Sequence, residues 1–231
     1  MRLFSSPSLL LLLAPVFLAA SCAPRTTPAK AMAIAYSYTQ VEWMPEVRHV
    51  RHEPDAKGIQ VHTPDKTLSK HGESGGWWTP GVPAKSVPYK WGGFDTPESF
   101  LKALKDGKKA GDVATKWKRS NGDAVVSEES TGIDCSGFVS RCWLLPKPYS
   151  TKQLPEICQP LASWDELQTG DILLKDGHVI LFEKWNADRT EIIGYEAGPK
   201  PVWRVNACGI LKSRLKAEKY WPWRYRWMKA D

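Results

Sequence analysis

The apolar residues of this 231-residue chain fall into runs of distinct period. Leu9 to Ala20 is continuously apolar but for Pro15, lies behind Arg2, and ends in Ala19-Ala20-Ser21 before Cys22. It is short for a bilayer span and leaves through small residues, so residues 1–21 read as an export signal. Polar, Pro-containing residues 23–30 read as a flexible tether. From 31 to 43, Ile34, Tyr36, Tyr38 and Val41 stand among small and polar residues and predict extended chain. Residues 44–88 are punctuated by eleven prolines and glycines, which allows short strands and turns but no long helix.

Helical spacing returns at 97–105. Thr96 can cap this segment, Pro97 suits its first position and Glu98 its positive end, while Phe100, Leu101 and Leu104 form the buried stripe and Gly107 ends it. The lysine-rich segment 105–123 reads as a solvated insertion or as a contact for an anionic polymer. Phe138, Cys142 and Leu145 predict a second helix, begun by Asp134 and stopped by Pro146. Strands follow at 170–174, 178–185 and 191–197, the last two joined by the hairpin loop 186–190, and a final strand is expected in the aromatic and basic run 220–227. The expected class is α+β.

Composition narrows the partners. Thirty-two Lys and Arg against twenty-five Asp and Glu give +7, which favours anionic polymers. Behind an export signal, that polymer is a component of the cell envelope, and nucleic acid is not expected. Five cysteines without a CxxC pair exclude a zinc ribbon or a thioredoxin site. Cys22, directly after Leu18-Ala-Ala-Ser21, resembles a bacterial lipidation site; the alternative is a plain signal with an incidental thiol. Twelve tryptophans exceed what one core needs and leave room for a ligand-facing surface.

The chemistry begins at Gly132-Ile-Asp-Cys-Ser-Gly137. An Asp134 N-cap puts Cys135 in the first helical turn, where unpaired backbone N–H groups and the helix dipole stabilise a thiolate. A nucleophilic thiol needs a base on another element. With a five-residue hairpin loop, Trp185 pairs with Glu191 and Ile180 with Glu196, so His178 and Glu196 share a sheet face on a diagonal. A slip of one residue would part them. Cys142, on the apolar stripe, reads as a buried small hydrophobe.

Pro88-Tyr-Lys-Trp-Gly-Gly93, Asp134-Cys-Ser-Gly137, Gly170-Asp171 and His178-Val179 occur in an order that resembles the NlpC/P60 family of cell-wall cysteine peptidases. The blocks span residues 88–198, about half the chain. The resemblance implies a papain-like fold, with the cysteine helix packed on an antiparallel sheet that carries the histidine. It implies hydrolysis of peptidoglycan stem peptides, commonly at the γ-linkage from D-Glu to a diamino acid. By position, Cys135 becomes the nucleophile, His178 the base and Glu196 the residue that orients the imidazole. Tyr89, Trp91, Asp134 and Ser136 become substrate contacts. Two departures stand out: Glu196 occupies a position where the family usually has His, and about forty residues separate Trp91 from Cys135. That insertion, about 95–130, could wall one side of the cleft. The domain expectation is a signal over 1–21, a lipidated tether over 22–30, an extension or small β-rich subdomain over 31–86 and a catalytic domain over 87–231. The protein is expected as a monomer, lipid-anchored in the bacterial envelope, on the periplasmic side of an outer membrane if there is one. Two alternatives stay open: an impaired wall-binding lipoprotein, and an amidase or acyltransferase on the same fold.

No cofactor is expected. His49, His52, His62 and His71 match no helical or hairpin pair of metal ligands, and they read as surface histidines. Trp77-Trp78 reads as a substrate lid or a core plug. Cys158 and Cys208, both in loop-like surroundings, are the candidate disulfide.

Overall fold

The computed structural model describes residues 26–231. The expected export signal and Cys22 lie outside the described residues, and among those described no helix is long and apolar enough to cross a membrane. The helices are α1 (Pro28–Thr39), α2 (Pro97–Lys105), α3 (Lys116–Asn121), α4 (Cys135–Cys142), α5 (Leu154–Ile157) and α6 (Lys212–Ala217). Short strands β1 (Glu42–Trp43) and β2 (Ala84–Lys85) pair antiparallel, and β3 (Lys109–Ala110) pairs parallel with β4 (Ser130–Thr131). The main sheet is antiparallel and six-stranded. It comprises β5 (Cys158–Pro160), β6 (Ile172–Lys175), β7 (His178–Trp185), β8 (Glu191–Ala197), β9 (Val205–Leu211) and β10 (Trp221–Tyr225), ordered β5-β10-β6-β7-β8-β9. The protein is therefore α+β, as the patterning predicts.

The sheet is covered on both faces. Ile172, Leu174, Val179 and Leu181 point into a core shared with α1 and α4, while Leu173, Ile180 and Phe182 point into a second one with Leu215 of α6 and Tyr220. Alternate residues of a strand face opposite sides, so burial of both sets explains why β6 and β7 read as near-continuous apolar runs. The final aromatic run supplies β10, wedged between β5 and β6.

The N-terminal segment departs from expectation. Residues 31–39 are helical, and α1 starts at Pro28 inside the segment read as a tether. Thr27 accepts the Lys30 N–H at 3.3 Å, and Pro28 sets the first turn. The apparent alternation of Ile34, Tyr36 and Tyr38 misleads, because Tyr36 is exposed while Ala31, Ala35 and Tyr38 form the buried, helically spaced face. Small alanines carry that face, and they are weak markers of burial in a sequence. Nor is 31–86 a β-rich subdomain, since Trp43, Leu68 and Trp78 join the same core as Phe138. Trp78 is a plug: it is buried and meets Trp43 edge-on at 5.5 Å.

The insertion is anchored and not simply solvated. α2 forms as predicted, with Thr96 accepting from the Ser99 N–H at 3.1 Å and Phe100 and Leu104 buried. The chain after it is held by a fully buried ion pair between Lys118 of α3 and Asp112. One lysine of a lysine-rich run is thereby removed from solvent, which patterning does not foretell.

The helix that begins at Cys135 ends earlier than Pro146 suggests, because Leu144 turns left-handed at φ 58°. α4 packs on β7, β8 and α1. Its N-terminal turn lies against the backbone of the 88–93 block, where Asp134 N–H donates to Gly93 O at 3.2 Å. A Cβ on Gly137 would stand 2.2 Å from that same oxygen, so the glycine of Asp134-Cys-Ser-Gly137 is there for close approach. The expected disulfide is absent: Cys158 and Cys208 are both free. They sit in strands β5 and β9 at opposite edges of the sheet, five strand spacings apart, or about 24 Å at 4.7–4.9 Å each. We expect Gly137→Ala to lower stability by at least about 2 kcal/mol in equilibrium urea unfolding, because backbone and not a flexible side chain blocks the added methyl.

Candidate active site

The N-cap expected of Asp134 is present. Its Oδ1 accepts the Gly137 N–H at 2.6 Å and the Ser136 hydroxyl at 2.9 Å. Cys135 is thus the first residue of α4, at a terminus whose leading N–H groups have no partner within the helix. It is nearly buried, with 6% of its surface exposed.

His178 opens β7, where Lys175 pairs with His178 across a tight turn containing Gly177. Its Nε2 lies 2.6 Å from Glu196 Oε2. Cys135 lies close enough that its sulfur, with the carboxylate, is one of the groups that favour a proton on the ring. With Nε2 engaged by the carboxylate, Nδ1 is the nitrogen left for the sulfur. The imidazole is thus bonded to the carboxylate and lies within electrostatic reach of the sulfur, and its pairing with Glu196 is the one the hairpin reading predicts.

The register that brings them together differs in one detail from that reading. At the loop end Trp185 pairs with Ile192 and not with Glu191. A bulge between Phe182 and Lys184 absorbs one residue, after which Leu181 pairs with Tyr195, the alignment that sets Ile180 opposite Glu196. The bulge lies beside Gly194, where a Cβ would stand 2.2 Å from Leu181 O.

Electrostatics favour a charged imidazole. Burial by itself disfavours the imidazolium, but the neighbouring Cys135 sulfur and the Glu196 carboxylate outweigh it and raise His178 to about 9. Tyr220 packs edge-on against the ring at 6.3 Å. Tyr89 is buried beside the thiol; burial together with the charges of Cys135 and Asp134 pushes its phenol well above the ordinary value, which keeps it a neutral donor. Burial also raises the Asp134 carboxyl, against the Gly137 N–H, the Ser136 hydroxyl and the Lys90 ammonium.

Cys135 lines a cavity of about 460 Å³ together with Tyr89, Trp91, Asp134 and Ser136. His178 and Glu196 line a second, of about 660 Å³, and the two meet at Arg119, Asp176 and Gly177. The expected catalytic residues Cys135, His178 and Glu196 and the expected substrate contacts Tyr89, Trp91, Asp134 and Ser136 therefore line these two adjoining cavities, while Cys22 lies outside the described residues. Trp77 and Trp78 line neither cavity. The insertion does border the cleft, but through Arg119 of α3, Gly122 and Asp123, and not through α2. Arg119 and Tyr220 were missed by pattern reading: one sits in a run of similar charges, the other precedes a strand that appeared merely structural.

The histidines expected at the surface are placed otherwise. His49 is buried, accepting the Glu46 N–H at Nδ1 at 3.0 Å, and burial lowers its affinity for a proton. His52 and His62 are half-buried, and only His71 is exposed. No protein-family model matches the chain, and no curated protein matches it.

Two pH effects follow from the raised His178. The stability it contributes is present in full below about 6.5, the ordinary value, and is lost as pH rises through about 9. Replacing Glu196 by Gln removes a charge that holds the proton on. Histidine NMR titration should show His178 titrating lower by about one unit or more in Glu196→Gln, with the alkaline loss of stability beginning correspondingly earlier.

Proposed function

We propose that this protein is a cysteine peptidase that hydrolyses amide bonds in peptidoglycan stem peptides, on a papain-like fold of the NlpC/P60 kind. The observation that carries the reading is the His178–Glu196 hydrogen bond beside Cys135, whose sulfur stands at a helix N-terminus. The four ordered sequence blocks, the cysteine helix on an antiparallel sheet and the export signal support the same family. Residues 1–22 fit delivery to the bacterial envelope with a lipid anchor at Cys22.

The reaction is acyl transfer. The Cys135 thiolate attacks the amide carbonyl, and the carbonyl oxygen takes up the negative charge. The Cys135 backbone N–H and the neutral Tyr89 hydroxyl are the donors for that oxyanion. The His178 imidazolium gives its proton to the departing amine, which leaves a thioester on Cys135. The now neutral His178 takes a proton from water, hydroxide displaces the thiolate, and the acyl group leaves as a carboxylate. Glu196 holds the ring and stabilises its charged form, the part that an acidic residue plays in serine triads. The favoured bond is the γ-linkage from D-Glu to a diamino acid. The cleft suits a ligand carrying both charges: Arg119 and Lys152 can meet stem-peptide carboxylates, and Asp134 a free amine.

Digestion of purified muropeptides, read by mass spectrometry, tests the proposal. Wild type should release fragments ending in D-Glu, and Cys135→Ala should lower the rate by at least about 1,000-fold. Cleavage unaffected by that substitution would exclude the thiol mechanism. Arg119→Ala should raise KM by about 10-fold or more with a smaller change in kcat, the signature of a lost charged contact to substrate.

A further inference from the structure

Three histidines outside the cleft converge on one point. Pro54 and Gln60 form an antiparallel bridge, Asp55 N–H donates to Ile59 O, and Thr63 N–H donates to Arg51 O. That irregular hairpin puts His52 directly opposite His62, with their Nδ1 atoms 3.4 Å apart. His71 comes from the 3-10 turn Leu68–His71, whose first residue is buried in the core. One ring nitrogen of each histidine lies within 4.8 Å of the other two.

We propose that His52, His62 and His71 form a binding site for a divalent transition-metal ion of the kind imidazole prefers, with Zn²⁺ as the reference ion. Three features support it. The 3.4 Å between the two Nδ1 atoms matches the roughly 3.4 Å edge of a tetrahedral zinc site with Zn–N bonds of about 2.0–2.1 Å. The second nitrogen of His52 is already engaged: Nε2 lies 2.9 Å from Asp65 Oδ2, which fixes the tautomer and turns the Nδ1 lone pair towards His62. Asp65 itself is buried and held by the Thr63 hydroxyl at 2.7 Å and the Thr67 N–H at 2.8 Å, so the orienting carboxylate is built into the fold.

His71 stacks on His52 with centroids 4.0 Å apart and planes 7° from parallel. Two parallel rings share no in-plane point, so His71 ligates by turning about its Cβ–Cγ bond, for which its exposure leaves room. Three imidazoles leave a fourth position for water or a carboxylate. The site belongs to the loops that precede the 88–93 block. Val113 N–H donates to His62 O at 2.8 Å and Asp112 N–H to Tyr89 O at 2.9 Å, so an ion here would brace the wall of the cleft without entering the reaction.

The proposal is independent of the peptidase reading, because metal content is measured without substrate. The full chain, carrying no histidine tag, is tested with Cys135→Ala in every sample so that the cleft thiol is not a ligand. Zn²⁺ is titrated in competition with a chromophoric chelator, and the dialysed protein is analysed for metal. We expect one ion per chain. Affinity should fall at least about 100-fold in His62→Ala and in His71→Ala, and about 10–100-fold in Asp65→Asn, which keeps all three ligands and loses only the orienting charge. Visible absorption of the Co²⁺ form should report a low-symmetry nitrogen site that disappears in His71→Ala, an exposed substitution that leaves the fold intact. Absence of stoichiometric binding, or binding that survives both histidine substitutions, overturns the proposal.

Discussion

The geometry of the cleft depends on the pairing of β7 with β8. His178 and Glu196 are eighteen residues apart and touch only because this hairpin has one register, and a register one residue away would place them on opposite faces. The register is not set by the turn alone. The loop end is offset by one residue, and the bulge between Phe182 and Lys184 restores the alignment that brings Nε2 to 2.6 Å from the carboxylate. Gly194 leaves room beside that bulge for Leu181 O. The imidazole is thereby held by the sheet, while the thiol is held by the start of α4. The two meet because α4 packs on β7 and β8.

The second constraint is the backbone contact between Gly93 and Gly137. It seats the 88–93 block against the helix N-terminus and puts Tyr89 and Trp91 beside the sulfur. Both glycines lie in the motifs that the sequence brings to notice. Their value is steric: neither contributes a functional group, yet a side chain at 137 would part the block from the helix. Around this centre the N-terminal segment wraps as α1 and a set of turns, and the Lys118–Asp112 pair fixes the insertion so that Arg119 faces the cleft.

The candidate site was legible because its signals are local. An N-cap aspartate, an adjacent cysteine and a histidine at a strand start each follow from a few neighbouring residues, whereas the counted hairpin reaches the right partner for Ile180 only because the bulge offsets the different pairing at its loop end. The features that escaped depend on distant parts of the chain. α1 was hidden because its buried face is largely alanine, and the burial of Lys118 is decided by Asp112 within a fold that patterning cannot assemble. The histidine cluster escaped for the same reason. Its residues come from an irregular hairpin and a 3-10 turn, and none of the familiar helical or strand spacings applies. Likewise, the loop-like surroundings of Cys158 and Cys208 suggested a pair, whereas the strand order sets them at opposite sheet edges.

The most direct test of the account is capture of the covalent intermediate. Wild type is mixed with a stem peptide bearing L-Ala-γ-D-Glu on the acyl side of the scissile bond, quenched in acid within the first turnover, and read by intact-mass and peptide-level mass spectrometry. The account predicts a thioester-linked L-Ala-D-Glu acyl group on Cys135, accumulating further when deacylation is slowed in Glu196→Gln. Turnover of the peptide with no adduct on Cys135 under any quench condition, and equal turnover by Cys135→Ala, would contradict it.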